Sequence, residues 1–252
     1  MTWDELFRFM CERKPGYAQT IRGVALDDII LCEKNLRITL PTLYVEFLVT
    51  MGADCGAFRP FGATQISDFY ELVEQLPPED YPGARYFKVA FEGDESQITP
   101  YDIFLALQRS DGHDAPLVTF EDGGGFSEDY VVCKTLSLGE TLMAQAFRQF
   151  ELRQRRESAT VYLRQHTPHP DTMRRIQEIL MASGLIPTLS PQANVICLGR
   201  DDMSAVVALS GTGEAVGVEF GADEGKALSL LLERVLGVFP DATVSYPKRT
   251  RK

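Results

Sequence analysis

Apolar residues recur at three- and four-residue steps between Ile38 and Gly56, and this spacing predicts a short buried helix. Pro41 can begin such a helix, because its ring holds the helical backbone angle and its missing N–H costs nothing in the first turn. Gly52 follows the last apolar residue, so we expect it to close the helix in a left-handed conformation. The apolar positions of this helix are Leu40, Leu43, Tyr44, Phe47, Leu48 and Met51.

The same spacing predicts further helices on either side of this central one. Thr2 and Glu5 form a capping box for the first helix, which should end near Lys14 because Pro15 and Gly16 cannot continue it. Ser67 is the expected N-cap of a helix that follows the central one. The remaining helices of this part of the chain are predicted over 26–36, 69–76 and 136–150.

Apolar runs bounded by turn residues predict the strands. In the first part of the chain they lie at 86–91, 101–108, 116–120 and 130–133. A polar and basic segment, LRQRRES, then separates this part from a second one, so we place a domain boundary near Glu157. The second part predicts strands at 159–164, 194–198, 204–209, 215–220 and 242–246 and helices at 171–183 and 223–239. The fold class is therefore α+β, with a first domain at 1–157 and a small α/β sandwich-type domain at 158–252.

The charge is distributed unevenly along the chain. The formal net charge of −11 belongs entirely to residues 1–157, where 26 acidic residues face 15 basic ones, while residues 158–252 hold ten of each. Such a field repels nucleic acid and anionic membranes and favours a basic partner. The alternative interpretation is that the acidity serves only to keep the protein in solution.

Two further features bear on the compartment. The chain has no run of 18 apolar residues and no positively charged start before an apolar stretch, so we expect neither a membrane span nor a secretory signal. The five cysteines are scattered and form no CxxC pair, which is typical of reduced thiols in a cytoplasmic protein.

The succession of these parts resembles the SUKH superfamily, which includes Syd-like bacterial immunity proteins and the yeast cell-wall assembly regulator. The resemblance covers about residues 20–152 and rests on Leu40-Pro41, Tyr44, Phe47-Leu48, Gly52 and Gly56, followed by a helix, a strand, a strand pair and a closing helix. It implies a mixed sheet with packed helices, no catalytic activity, and a role in binding a protein. For bacterial members that protein is a toxin, often a nuclease or a deaminase.

An acidic segment at 90–129 is the candidate partner-binding region, because an acidic face would attract the positive nucleic-acid groove of a nuclease. Solvated loops between strands are the alternative. The candidate residues are Asp94, Glu95, Asp102, Asp111, Asp114, Glu121, Asp122, Glu128 and Asp129.

Motifs for catalysis or metal binding are weak in this sequence. The stretch from Asp111 to Asp114 could hold a cation together with Glu121 and Asp122, but its spacing does not follow a calcium-binding loop. We therefore predict no enzyme activity, no cofactor and no metal, with an immunity protein as the first hypothesis. A cytoplasmic scaffold or regulatory protein is the second hypothesis, and an enzyme in the second domain is the third.

Overall fold

The computed structural model describes residues 1–74, 83–93, 102–120, 131–164, 171–210 and 215–246. These residues form helices and antiparallel sheets, so the chain belongs to the α+β class. It divides into two compact units, Thr2–Gln145 and Ala146–Lys252. The polar composition of LRQRRES predicts this division near Glu157, whereas in the structure it falls earlier, inside a helix.

The helices of the first unit are close to their predicted positions. The Thr2 hydroxyl accepts a hydrogen bond from the Glu5 N–H at 3.3 Å and caps the first helix, which ends before Lys14. The third helix begins at Thr42, one residue later than predicted, because Pro41 has an extended ψ of 141° and stands at the N-cap. The bounds are Trp3–Arg13 for α1, Leu26–Leu36 for α2, Thr42–Met51 for α3, Phe69–Glu74 for α4 and Leu138–Phe150 for α5.

Two predictions about helix ends are wrong. Gly52 has φ −66° and ψ −18°, so it continues the right-handed turn. Space favours a glycine there, because a Cβ would lie 2.7 Å from Leu48 Cα and 2.9 Å from the Leu48 carbonyl oxygen. Asp68, not Ser67, caps α4, since its Oδ1 accepts hydrogen bonds from the Tyr70 and Glu71 N–H groups at 2.9 and 3.1 Å.

The sheet of the first unit is antiparallel in every described strand pair, and not mixed as the resemblance implies. Its strands follow one another in chain order, and the short β1 escapes prediction because it has only two residues. The third strand is shorter than predicted, because the chain turns into a 3-10 helix at Leu107–Arg109. The bounds are Gln65–Ile66 for β1, Tyr86–Glu92 for β2, Ile103–Ala106 for β3, Pro116–Phe120 for β4 and Val131–Ser137 for β5.

The central helix packs its apolar side chains into the core of this unit. Tyr44 and Phe47 of α3 are fully buried, and the Tyr44 ring meets Phe87 of β2 edge-on at a centroid distance of 5.8 Å. Trp3 of α1 packs edge-on against Phe47 and donates its indole N–H to the Thr50 hydroxyl at 2.8 Å. The residues that carry the family resemblance on α3 are thus core residues.

The second unit is a six-stranded antiparallel sheet with two helices, and it contains the five strands and both helices predicted for it. The strand order is β11-β6-β10-β9-β8-β7, and the two-residue β7 is an addition to the predicted strands. Gly184, with φ +87°, ends the first of the two helices, as expected. The bounds are Glu157–Arg164 for β6, Thr172–Ala182 for α6, Ile186–Pro187 for β7, Val195–Arg200 for β8, Met203–Ser210 for β9, Ala215–Ala222 for β10, Gly225–Val238 for α7 and Thr243–Ser245 for β11.

Alternating residues of this sheet form one core with the two helices. Val161 of β6, Val207 of β9 and Val218 of β10 are fully buried, and they share a cluster with Ile176 of α6 and Val235 of α7. The period of two along the strands and of three to four along the helices is the pattern that predicts both kinds of element.

The segment LRQRRES is part of the second unit and not a linker. Leu152 opens a 3-10 turn and is only 7% exposed. Gly221 of β10 allows a close approach, because a Cβ there would lie 2.8 Å from Arg155 Cγ. Just before this segment, Arg148 of α5 donates its Nε–H to Glu219 of β10 at 2.7 Å. These contacts explain why the second unit begins before Glu157.

Candidate protein-binding surface

Three of the nine acidic candidates lie among the described residues. Asp102 forms an ion pair with Lys88 at 2.6 Å, and Asp111 and Asp114 lie in the loop between β3 and β4. The other six lie outside the described residues: Asp94, Glu95, Glu121, Asp122, Glu128 and Asp129.

The loop of Asp111 to Asp114 holds the start of the central helix. The Gly112 carbonyl accepts a hydrogen bond from the Thr42 N–H at 3.1 Å, and the His113 carbonyl accepts one from the Leu43 N–H at 3.0 Å. Pro41 places no side-chain acceptor at the start of α3, so these carbonyls satisfy N–H groups that the helix itself leaves without partners.

Asp111 gives this loop its shape. Its Oδ1 accepts hydrogen bonds from the backbone N–H groups of His113 and Asp114, both at 2.8 Å. These two bonds, first the one from Asp114 and then the one from His113, lower the pKa of the Asp111 carboxyl, because they favour its charged form. The carboxylate is exposed and keeps its negative charge at the surface.

Asp114 supports the start of α5. Its carboxylate accepts a hydrogen bond from the Ser137 hydroxyl at 2.7 Å and one from the Gly139 N–H at 3.2 Å. Gly139 allows this approach, since a Cβ would lie 2.8 Å from Asp114 Oδ2 and 2.9 Å from Leu43 Cδ2. One loop therefore forms hydrogen bonds with the first turns of both α3 and α5. The acidic composition of the loop gives no indication of this structural role.

A groove with a volume of about 310 Å³ follows the end of α3 in the first unit. It begins at the same Gly52 that ends the central helix. Two acidic residues, Asp54 and Asp68, contribute to its wall, together with the hydroxyls of Thr64 and Ser67. Asp54 Oδ1 accepts a hydrogen bond from the Gly56 N–H at 2.8 Å, which fixes the turn where Gly56 has φ +58°.

Cys55 also lines the groove, and its environment favours the neutral thiol. Burial raises the pKa of Cys55 to about 12, and a hydrogen bond with Ser67 only partly opposes this effect. Because the thiolate is the nucleophilic form, Cys55 is an inert side chain at neutral pH. Burial likewise raises the pKa of Cys32, to about 11, and the pKa values of Cys11 and Cys197.

In the second unit, hydrogen bonds and ion pairs surround Arg155. The guanidinium has five N–H donors, and Arg155 makes five hydrogen bonds with them. Glu151, only 8% exposed, accepts one at 2.5 Å and also accepts the Ser204 hydroxyl at 2.7 Å. The acceptors of Arg155 are Glu151 Oε1, Ser204 Oγ, Asp223 Oδ2 and the carbonyls of Arg200 and Asp201.

A smaller pocket of the second unit, about 200 Å³, lies beside the end of α6. Arg200 Nη1 donates to the Ser183 carbonyl at 2.7 Å, and Arg234 Nη1 donates to the Ser183 hydroxyl at 3.0 Å. Cations at this position stabilise the negative end of a helix, so the two arginines have a structural explanation.

The described residues contain neither a candidate metal site nor a candidate membrane-spanning helix. In the part of the chain that the structure describes, no three His, Cys, Asp or Glu side chains lie together as metal ligands would. Within the same residues, none of the helices combines the length and the apolar character needed to cross a membrane.

Comparisons with known proteins found no matching family model and no similar curated protein or solved structure. The surface must therefore be interpreted from its own residues. Asp54 and Asp68 are absent from the nine sequence-derived candidates, although each has a local signal: an aspartate two residues before a glycine, and an aspartate directly before an apolar helical pattern.

Proposed function

We propose that this chain is a non-catalytic protein-binding module of the SUKH type, acting in the cytoplasm as an immunity protein. Its partner would be a basic toxin domain of the nuclease or deaminase type, blocked stoichiometrically through steric and electrostatic contact with the acidic first unit. The class of protein is inferred from the resemblance of the sequence motif around α3. The basic character of the partner is inferred from the negative charge of the first unit.

The observation that supports this proposal is the way in which the first unit holds its carboxylates. Asp54, Asp68 and Asp111 accept hydrogen bonds from backbone N–H groups, which are neutral donors. Such bonds fix a carboxylate in place and add no positive charge to it. Residues 2–145 carry 24 acidic and 11 basic residues, a formal charge of −13, whereas residues 146–252 carry 12 and 14. A field of this kind speeds the association of a basic partner and repels nucleic acid.

The first experiment is affinity capture with the purified chain, in lysate and secreted fractions of its own organism at moderate salt. We expect one basic domain to be retained and to be lost as the salt concentration rises, because screening weakens the attraction. The captured domain is then assayed for nuclease or deaminase activity with and without the chain. Inhibition that is complete at one equivalent supports the proposal. Recovery of several host regulators without an inhibited activity would support the scaffold hypothesis instead.

Association kinetics test the electrostatic part of the proposal. Converting Glu121, Asp122 and Glu128 to their amides should slow association with the captured domain several-fold at low salt and flatten its salt dependence. The matched control converts three exposed acids of the second unit, Asp201, Glu233 and Asp241, and should leave the rate nearly unchanged. Equal rates for the two triple variants would remove the acidic segment at 90–129 from the mechanism.

A further inference from the structure

Large apolar side chains are exposed on two neighbouring helices of the first unit. Leu26 and Leu31 of α2 are 53% and 56% exposed, and Tyr70 of α4 is 41% exposed. Val73 lies one helical turn after Tyr70 and is 36% exposed. We call Leu31, Tyr70 and Val73, together with Asp28, the α2–α4 face. Leu26 is not part of it, because it lies about 140° around α2 from Leu31.

Hydrogen bonds join this face to the groove at the end of α3. The Tyr70 hydroxyl donates to Asp28 Oδ2 at 2.8 Å, which ties α4 to α2. The Tyr70 N–H donates to Asp68 Oδ1 at 2.9 Å, and Asp68 lines the groove. On the other side, the Arg22 N–H donates to the Asp54 carbonyl at 2.9 Å, so the segment that leads into α2 runs beside the groove. The face and the groove therefore lie beside each other.

The charges of this surface suit a cationic ligand. Asp28, Asp54 and Asp68 each accept a hydrogen bond from a hydroxyl or a backbone N–H, which are neutral donors. Arg59 also lines the groove, where its Nη1 donates to the carbonyls of Gly56 and Phe58 at 2.7 and 2.9 Å. Across residues 22–74 there are eight acidic residues against four basic ones.

We infer that the α2–α4 face and its groove form a docking site for a basic protein segment in which arginine or lysine stands beside apolar residues. The apolar side chains pack on Tyr70, Leu31 and Val73, and a cationic side chain enters the groove between Asp54 and Asp68. An exposed aromatic and aliphatic centre with a charged rim is the composition of a protein interface. The inference rests on the proposed function for the basic character of the partner, and it locates that partner on a surface other than the segment at 90–129.

The test is a titration of the ¹⁵N-labelled full chain with a synthetic peptide, followed by amide chemical shifts at physiological salt. The probe is acetyl-LKALRKL-amide, and its acidic counterpart, acetyl-LEALEEL-amide, is the control. We expect saturable shifts at Leu31, Gly56, Ser67 and Tyr70 with the basic peptide and none with the acidic one. Shifts that are absent from this surface, or that concentrate in residues 90–129, overturn the inference.

Matched variants separate a docking role from a purely structural one. Asp28→Asn and Asp54→Asn both keep an oxygen that can accept the existing hydrogen bond, and together they should weaken peptide binding about threefold or more. Asp241→Asn in the second unit should leave it unchanged. Tyr70→Phe should retain binding and Tyr70→Ala should weaken it, whereas Tyr246→Ala, at an exposed tyrosine of the second unit, should not. Affinities that do not differ between these variants and their controls overturn the inference.

The same variants distinguish failure of this inference from failure of the proposed function. If the captured toxin domain is inhibited equally well by the Asp28→Asn, Asp54→Asn chain, the function stands and the docking site is wrong. If no toxin is inhibited while the peptide maps to the α2–α4 face, the docking site stands and the immunity function is wrong.

Discussion

The aspartates in the loop between β3 and β4 of the first unit are held differently from the carboxylates around Arg155 and Arg148 in the second unit. In the second unit, guanidinium groups neutralise them: Arg155 pairs with Glu151 and Asp223, and Arg148 pairs with Glu219. In the first unit, Asp111 and Asp114 accept hydrogen bonds from backbone N–H and hydroxyl groups. The paired carboxylates contribute to the stability of the second unit, whereas Asp111 and Asp114 accept neutral donors and shape a loop of the first unit. Asp102 differs from these two aspartates, because it forms an ion pair with Lys88.

This difference indicates which charges can be removed and how much unfolding free energy each removal should cost. An ion pair at a buried position cannot lose one partner without leaving the other uncompensated. A carboxylate that accepts an N–H bond can be replaced by a carboxamide, which still offers an oxygen. The stability of the second unit should therefore depend on its charges, and the stability of the first should depend mainly on its hydrogen-bond geometry.

The largest expected effect is that of Arg155→Met. The substitution removes five hydrogen bonds and leaves Glu151 buried without its cation, so the second unit should lose about 3–5 kcal/mol of unfolding free energy. Denaturant unfolding, followed by amide signals of the second unit, measures the loss. Arg153→Ala is the control, because Arg153 is exposed in the same segment, and its effect should stay within about 0.5 kcal/mol. Similar losses for the two variants would contradict a stabilising role for the Arg155 network.

A smaller effect is expected in the first unit from Asp114→Ala. The Ser137 hydroxyl and the Gly139 N–H then lose their acceptor at the start of α5, which should cost about 1–3 kcal/mol. Asp114→Asn should recover a large part of this loss, because its amide oxygen can accept one of these bonds. The unfolding midpoint of the first unit measures both variants. A loss for Asp114→Asn as large as that for Asp114→Ala would show that the charge matters more than the hydrogen bond.

The smallest effect concerns the pH dependence of stability and Asp111. The pKa of Asp111 is lower in the folded chain than its ordinary value of 3.8, so its contribution is present above that value. The contribution is lost as the pH falls through the folded pKa. Asp111→Asn should therefore remove part of the decline in unfolding midpoint below about pH 4. The comparison is made against Asn35→Ala, at an exposed uncharged residue of the first unit, whose loss should leave the acid decline as it is.

Helices and strands with a strong apolar periodicity are predictable from the sequence. Very short strands, and segments whose polar composition is that of a linker, are not. The helix at Leu26–Leu36 and the strand at Pro116–Phe120 have their predicted bounds, because apolar spacing and burial agree there. The strand Gln65–Ile66 is too short to show a period. The boundary is predicted too late, near Glu157, because a basic run is typical of a solvated linker, whereas Arg155 is held inside a network of acceptors distant in sequence.

The candidate surface is predictable only as a composition. Counting acids locates the negative charge in the first part of the chain, and the bounds of the first unit give residues 2–145 the larger charge of −13. Counting cannot show that Asp114 serves a helix start 25 residues later, or that Tyr70 reaches Asp28 from another helix. Such contacts depend on tertiary placement, which leaves no local pattern in the sequence.

The loop and cap aspartates have a consequence for how sequences with this fold could diverge. At Asp54, Asp68 and Asp111 the backbone geometry requires an oxygen that accepts a backbone N–H, and asparagine also offers such an oxygen. Single-base codon changes between the two residues would thus alter the surface potential while the backbone stays in place. Selection, or a protein engineer, can therefore adjust the surface charge of this unit one residue at a time without changing its fold.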